Sequence, residues 1–178
     1  RYGTVTGVQT CALPILRRAC SHGGDLEARD GMAMAAYYAG MAINQVNVGN
    51  VHAIAHQLGA TYGIPHGVAN AMVLPHVLEL SRPAADQRLA ELARRIGLGT
   101  QGESDDVLAE QFIEAVISLR EDVNLPAQAD ALDEQDFPLL IERAVAEGDN
   151  YPAPVFFQSS EVEIVLRRLL TRHVDVNS

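Results

Sequence analysis

From Asp25 onward the chain repeats one pattern: apolar residues at three- and four-residue steps, interrupted by polar, glycine or proline breaks. In DLEARDGMAMAAYYAGMAINQV, positions Met34, Tyr37, Tyr38, Met41 and Ala42 share one helical face. That spacing predicts a helix with this face buried as core. Asp25 is the expected N-cap, and Glu27 and Asp30 suit the positive end of the helix dipole. A break at Asn47–Asn50 precedes VHAIAHQLGA, a short helix expected to end near Gly59. GVANAMVLPHVLELS predicts a third helix kinked at Pro75. Pro83 is expected at the first position of a fourth, whose Leu89, Leu92, Ala93 and Ile96 form an apolar stripe.

Beyond the loop GTQGES, the period returns through Leu108, Phe112, Ala115 and Leu119. LPAQADALDEQDF reads as a turn-rich link, and PLLIERAVAEG as a helix with Gly148 as its C-cap. NYPAPVFF is held extended by its prolines, and SSEVEIVLRRLLTRH closes the chain as a capped helix. No alternating strand pair, glycine-rich phosphate loop or internal repeat interrupts this sequence, so the expected fold class is all-α.

Composition narrows the partners. The 178 residues suit one domain with a real core, and 48% are hydrophobic against 20% charged. A formal net charge of −10 argues against nucleic acid and anionic membrane, because phosphate binding rests on clustered Lys and Arg. The acidic residues are scattered, as on a solvated surface. No apolar run reaches the roughly 20 residues that span a bilayer. CALPIL is too short for a signal-peptide core, and two cysteines make no disulfide framework, so a cytoplasmic setting is expected.

The first residues stand apart. VTGVQTCALPI, Val5 to Ile15, resembles the in-frame translation of a sequencing adapter. Residues 1–16 are therefore expected to be non-native, which would leave Cys11 without meaning, and residues 17–178 to form one helical domain truncated at its N-terminal side.

The candidate chemistry lies in GNVHAIAHQLGATYGIPHG, which holds three of the six histidines. His52 and His56, four apart, share a helical face with roughly 5–6 Å between β-carbons. Alone, such a pair is more often core or surface than site. His66 changes this, because it follows His52 by 14 residues across a run rich in helix breakers. Gly59 and Gly63 permit a chain reversal, and Pro65 keeps Ile64 extended. The spacing therefore suits two imidazoles converging on one ion.

VHAIAHQLGATYGIPHGVANAMVLPHV resembles the signature of the iron-dependent (group III) alcohol dehydrogenases, including lactaldehyde reductase-like enzymes, and the helix before it is also similar. The likeness runs from about Asp25 to Leu80 and more weakly to the NYPAP segment. It implies the C-terminal helical metal-binding domain of a dehydroquinate synthase-like/iron alcohol dehydrogenase fold, with the N-terminal Rossmann-like NAD(P) domain missing. It also implies Fe2+, or alternatively Zn2+, held by one Asp and three His, with NAD or NADP bound mainly by the missing domain. On this resemblance His52 and His66 match two of the metal ligands, and His56 matches a cleft histidine suited to proton relay. Small alcohols and aldehydes are the implied substrates, and a homo-oligomer the implied full-length form. Gly67 and Asn70 flank His66 and are expected to shape the cleft.

Departures bound this reading. No Asp-x-x-x-His occurs, so the other ligand pair is absent, and Val155 stands where similar proteins often carry Arg. The chain alone is therefore expected to be inactive, and to expose apolar surface that the absent half would cover. His76 reads as a packed residue, while His22 and His173 receive no role. Two alternatives stay open: a glycerol dehydrogenase- or dehydroquinate synthase-like zinc enzyme, and a non-catalytic helical interaction module. The first tends to have an acidic residue just after the second His-Gly, where this chain has Val68.

Overall fold

The computed structural model describes residues 15–171. The adapter-like assignment to residues 1–14, Cys11 included, and the reading of His173 lie outside the described residues. The family of elements is helical: α1 (residues 15–21), α2 (Leu26–Val46), α3 (Asn50–Tyr62), α4 (His66–Arg95), α5 (Asp105–Asp122), α6 (Phe137–Gly148) and α7 (Ser159–Leu169). A single 3₁₀ turn, Glu134–Asp136, precedes α6. Among the described residues the only β-type pairing is an isolated bridge between Ala129 and Leu170. The all-α expectation holds.

The chain divides into two compact units. One combines the described residues up to Val48 with Ser81–Asn124. Here Ala90 and Ala93 of α4 pack on Leu108 of α5, with Leu98 and Phe112 at the margin. Arg82 donates to the Asp106 carbonyl at 2.8 Å, and Arg94 pairs with Asp105 at 2.5 Å, tying α4 to the start of α5. Asp25 caps α2 as expected, its carboxylate accepting from the Ala28 amide at 3.0 Å.

The burial expected for α2 does not occur. Met34 is 44% exposed, Tyr37 62% and Met41 52%; Tyr38 and Ala42 are exposed as well, and Ala28 alone is buried in this helix. Periodicity marks a face that needs covering, but it does not say that the cover is present.

The second unit, Gly49–Leu80 with the described residues from Leu125 on, holds the larger core. Helix α6 packs against both α3 and α7. Ile54 and Leu58 of α3, Met72 and Val73 of α4, Leu140 of α6, and Val165, Leu166 and Leu169 of α7 fill the interior. Burying each such side chain contributes about 1.5–3 kcal/mol before entropy is counted. The NYPAP segment is non-helical as expected, and the Val155 carbonyl accepts from Asn50 Nδ2 at 2.8 Å.

Three boundaries differ from expectation. Helix α3 runs past Gly59 to Tyr62, and Gly148 ends α6 inside the helix, with Asp149 as the cap. The third and fourth expected helices are one, α4, which runs through both Pro75 and Pro83. A proline inside a helix costs about 3 kcal/mol relative to alanine. The fully buried Pro75 and the burial of Ser81, Ala85 and Leu89 around Pro83 offset that cost.

Candidate metal centre

The site begins with how α3 and α4 are joined. Helix α3 buries Ala53, Ile54, Ala55 and Leu58, which leaves His52 and His56, four apart, half-buried on another face. It ends at Gly63, whose φ of 68° lies in the left-handed region that glycine enters without steric cost. The Gly63 amide donates to the Gly59 carbonyl at 3.0 Å. Only Gly63, Ile64 and Pro65 intervene before α4 starts at His66. A side chain at Gly59 would place its β-carbon 3.3 Å from the Ile64 carbonyl, so the bare glycine admits the returning chain. Pro65 then offers its carbonyl to the Ala69 amide, opening the new helix.

This reversal gathers three imidazoles. Ring centroids of His52 and His66 lie 5.2 Å apart, those of His56 and His66 5.2 Å, and those of His52 and His56 5.7 Å. Burial, first, and then the neighbouring rings of His66 and His56 push the His52 imidazole below its ordinary pKa, with Glu147 opposing. A ring biased toward the neutral form keeps a lone pair free for a cation. Asn70 Nδ2 donates to the His66 carbonyl at 2.8 Å and lies 3.2 Å from His66 Nε2. Its Oδ1 is buried without a partner. Gly67 follows His66 in the exposed first turn of α4.

Glu147, at the end of α6, was not singled out by sequence pattern. Its Oε1 faces His56 Nδ1 at 2.5 Å and accepts from the Tyr151 hydroxyl at 2.8 Å. Its Oε2 accepts from Gln57 Nε2 at 2.8 Å. The bond to Glu147 is the leading cause that raises the Tyr151 phenol above its usual pKa. No local spacing links Glu147 to His56, because 91 residues separate them. Packing of α6 on α3 brings them together.

The donor set bears directly on a divalent ion. With metal–nitrogen bonds of about 2.1 Å and tetrahedral angles, two ligating imidazoles would have centroids about 5 Å apart. The His52–His66 and His56–His66 separations are both of that size. Among the described residues no group of three or more His, Cys, Asp or Glu has a metal-holding arrangement. His76 sits half-buried within α4, and His22 is exposed in the other unit.

A family model described as Fe-containing alcohol dehydrogenase family, C-terminal, matches residues 8–170. The match thus begins inside the adapter-like segment. A 1,3-propanediol dehydrogenase of Citrobacter freundii is 40% identical over 155 residues, which cover 86% of this chain and 40% of that protein. A lactaldehyde reductase of Escherichia coli (strain K12) is 37% identical over 124 residues, or 68% of this chain and 32% of that one. The crystal structure of a 1,3-propanediol oxidoreductase superposes with a TM-score of 0.84 at 36% identity, over 93% of this chain and 44% of its own. The chain thus spans about a third to two fifths of the curated relatives it matches.

Proposed function

The chain belongs to the Fe-containing alcohol dehydrogenase family, and from that premise we propose that it is the helical, metal-binding part of an NAD(P)-linked alcohol dehydrogenase. The names of its relatives bring a small alcohol or aldehyde as the substrate class. The observation that carries the reading is the 5.2 Å separation of the His52 and His66 rings across the α3–α4 reversal.

His52 and His66 would hold a divalent metal, Fe2+ or Zn2+, as two of its four ligands. When bound, the metal supplies Lewis-acid polarisation of an alcohol or carbonyl group, and the nicotinamide supplies or takes up the hydride. This chain's residues do the rest. His52, kept toward neutrality by burial, offers a lone pair without first releasing a proton. His56, one turn along α3, would take the substrate hydroxyl proton on oxidation and return it on reduction. Asn70 fixes the first turn of α4 behind His66. The nucleotide domain and the remaining Asp and His ligands belong, on this reading, to sequence outside the helical domain of residues 17–178, with residues 1–16 foreign to it. A cytoplasmic homo-oligomer is the proposed setting of the full-length enzyme.

Metal content and turnover, measured together on the protein that also carries the nucleotide-binding half, test this. His52→Ala and His66→Ala should each strip the metal. His56→Ala should keep it and lower kcat by roughly 10²–10⁴-fold, the usual worth of a general acid–base group. Metal loss in His56→Ala would make that residue a ligand and refute the assignment. The 178-residue chain alone should neither turn over alcohols nor retain iron, because two imidazoles hold a divalent ion weakly. NAD(P)-linked turnover by the chain alone would overturn the proposal.

A further inference from the structure

We propose that Glu147 is the positioning residue for His56: it holds the ring as the Nδ1-protonated tautomer and so leaves Nε2 as the bare nitrogen. The inference rests on the reading of His56 as a proton relay, and it names the group on which that role depends.

The argument is geometric. An ionised carboxylate only accepts hydrogen bonds. Glu147 receives one donor from each side: Gln57 Nε2 at Oε2 and the Tyr151 hydroxyl at Oε1, both at 2.8 Å. Gln57 is itself anchored, its Nε2 also donating to the Ala53 carbonyl one turn back at 3.1 Å. Tyr151 is held by its amide, which donates to the Gly148 carbonyl at 3.0 Å. The carboxylate therefore has little freedom to turn away. What it offers His56 Nδ1, at 2.5 Å, is an acceptor, so Nδ1 must carry the proton. In a neutral imidazole one nitrogen donates and the other accepts. Nε2 is then the nitrogen left with a lone pair, and it is the atom that can take a proton from a hydroxyl. Which nitrogen of a histidine is free is set by the bond the other one makes.

The competing account is that Glu147 merely ties α6 to α3. A tie made through the Gln57 amide alone, which donates to Glu147 Oε2 at 2.8 Å, sets no preference for where the His56 ring keeps its proton. The two accounts therefore part on a spectroscopic signature.

The test is a long-range proton–nitrogen correlation spectrum of the 15N-labelled 178-residue chain. It is recorded at about pH 8.5, well above the ordinary imidazole pKa of about 6.5. His56→Gln assigns the ring signals. The expected spectrum shows His56 with a protonated Nδ1 and a bare Nε2. Glu147→Gln should shift the ring to the Nε2-protonated or a mixed form, while core methyl signals of Ile54 and Leu140 stay in place. Tyr151→Phe, which removes one clamp but keeps the carboxylate, should retain the Nδ1-protonated form. A parent ring protonated on Nε2, or a Glu147→Gln ring unchanged from the parent, overturns the proposal. Should Glu147→Gln fail to fold, the parent and Tyr151→Phe spectra decide the matter. None of this needs metal or cofactor. A relay role that fails in the turnover test therefore leaves the positioning result standing, and a wrong tautomer leaves the ligand pair untouched.

Discussion

At the scale of single residues, charge placement shows its effect most cleanly at Asp25. The Ala28 amide, and after it the Arg18 guanidinium at 2.7 Å, hold its carboxyl below the usual carboxylate range. The folded state thus binds this proton less readily than the unfolded chain. The stabilisation is complete above the unfolded pKa of about 3.9 and is lost as pH falls through the lower folded value. Hydrogen exchange at Ala28, taken relative to the unfolded chain at the same pH, should therefore accelerate on acidification through that window. Asp25→Ala should accelerate it at neutral pH and flatten the pH dependence; an unchanged Ala28 amide would remove Asp25 from the cap. This residue was legible because a cap acts within its own turn. His52, His56 and His66 were legible as a cluster for a related reason, since helix period and a short reversal place all three. Glu147 was not. Whether a carboxylate on α6 meets a ring on α3 depends on how two helices pack, and no spacing in ERAVAEG encodes that.

Among the elements, the periodic helices were readable and their joints were not. Proline is a strong local signal against helix, yet α4 passes through Pro75 and Pro83 because packing on either side outweighs the missing amide. Pro83 is exposed, so Pro83→Ala restores a backbone donor without disturbing the core. It should raise stability by up to about 3 kcal/mol, read as a higher denaturant midpoint. A midpoint that falls would mean the proline sets a bend that the two ends of α4 require. Gly59 and Gly63 reverse this lesson: both were expected to break α3, but each does a different job. Gly63 supplies the left-handed cap, while Gly59 stays helical and supplies room for the Ile64 carbonyl. Gly63→Ala forces a β-carbon into the left-handed region and should cost about 1–2 kcal/mol. It should also disturb the His52–His66 pair, seen as changed ring shifts of both histidines. Equal stability and unchanged shifts would show that the reversal does not depend on glycine.

The whole molecule is best understood through the face it leaves open. Two separate cores are filled, one by small residues at α4 and α5 and one by the branched and aromatic residues around α3, α6 and α7. Helix α2 contributes to neither with its apolar stripe. Leu26, Met34, Tyr37, Met41, Ile43 and Val46 are each at least 44% exposed. Contiguous apolar surface on one helix is a recognised cause of association, since each contact removes area worth about 25 cal/mol per Å² from water. Met34, Tyr37 and Met41, which in sequence spell part of a buried face, therefore lie on a surface where copies of this chain are expected to adhere. Sedimentation velocity should show concentration-dependent self-association of the chain. A Tyr37→Lys, Met41→Lys double variant should abolish it without loss of helical signal in circular dichroism. The charges are placed on positions already facing solvent, so a folded variant is the expected result. If the double variant unfolds, α2 is packed in solution and the exposed stripe is not a surface at all. If it folds but associates as before, adhesion resides elsewhere, and the open face of α2 has no bearing on how this chain behaves at high concentration.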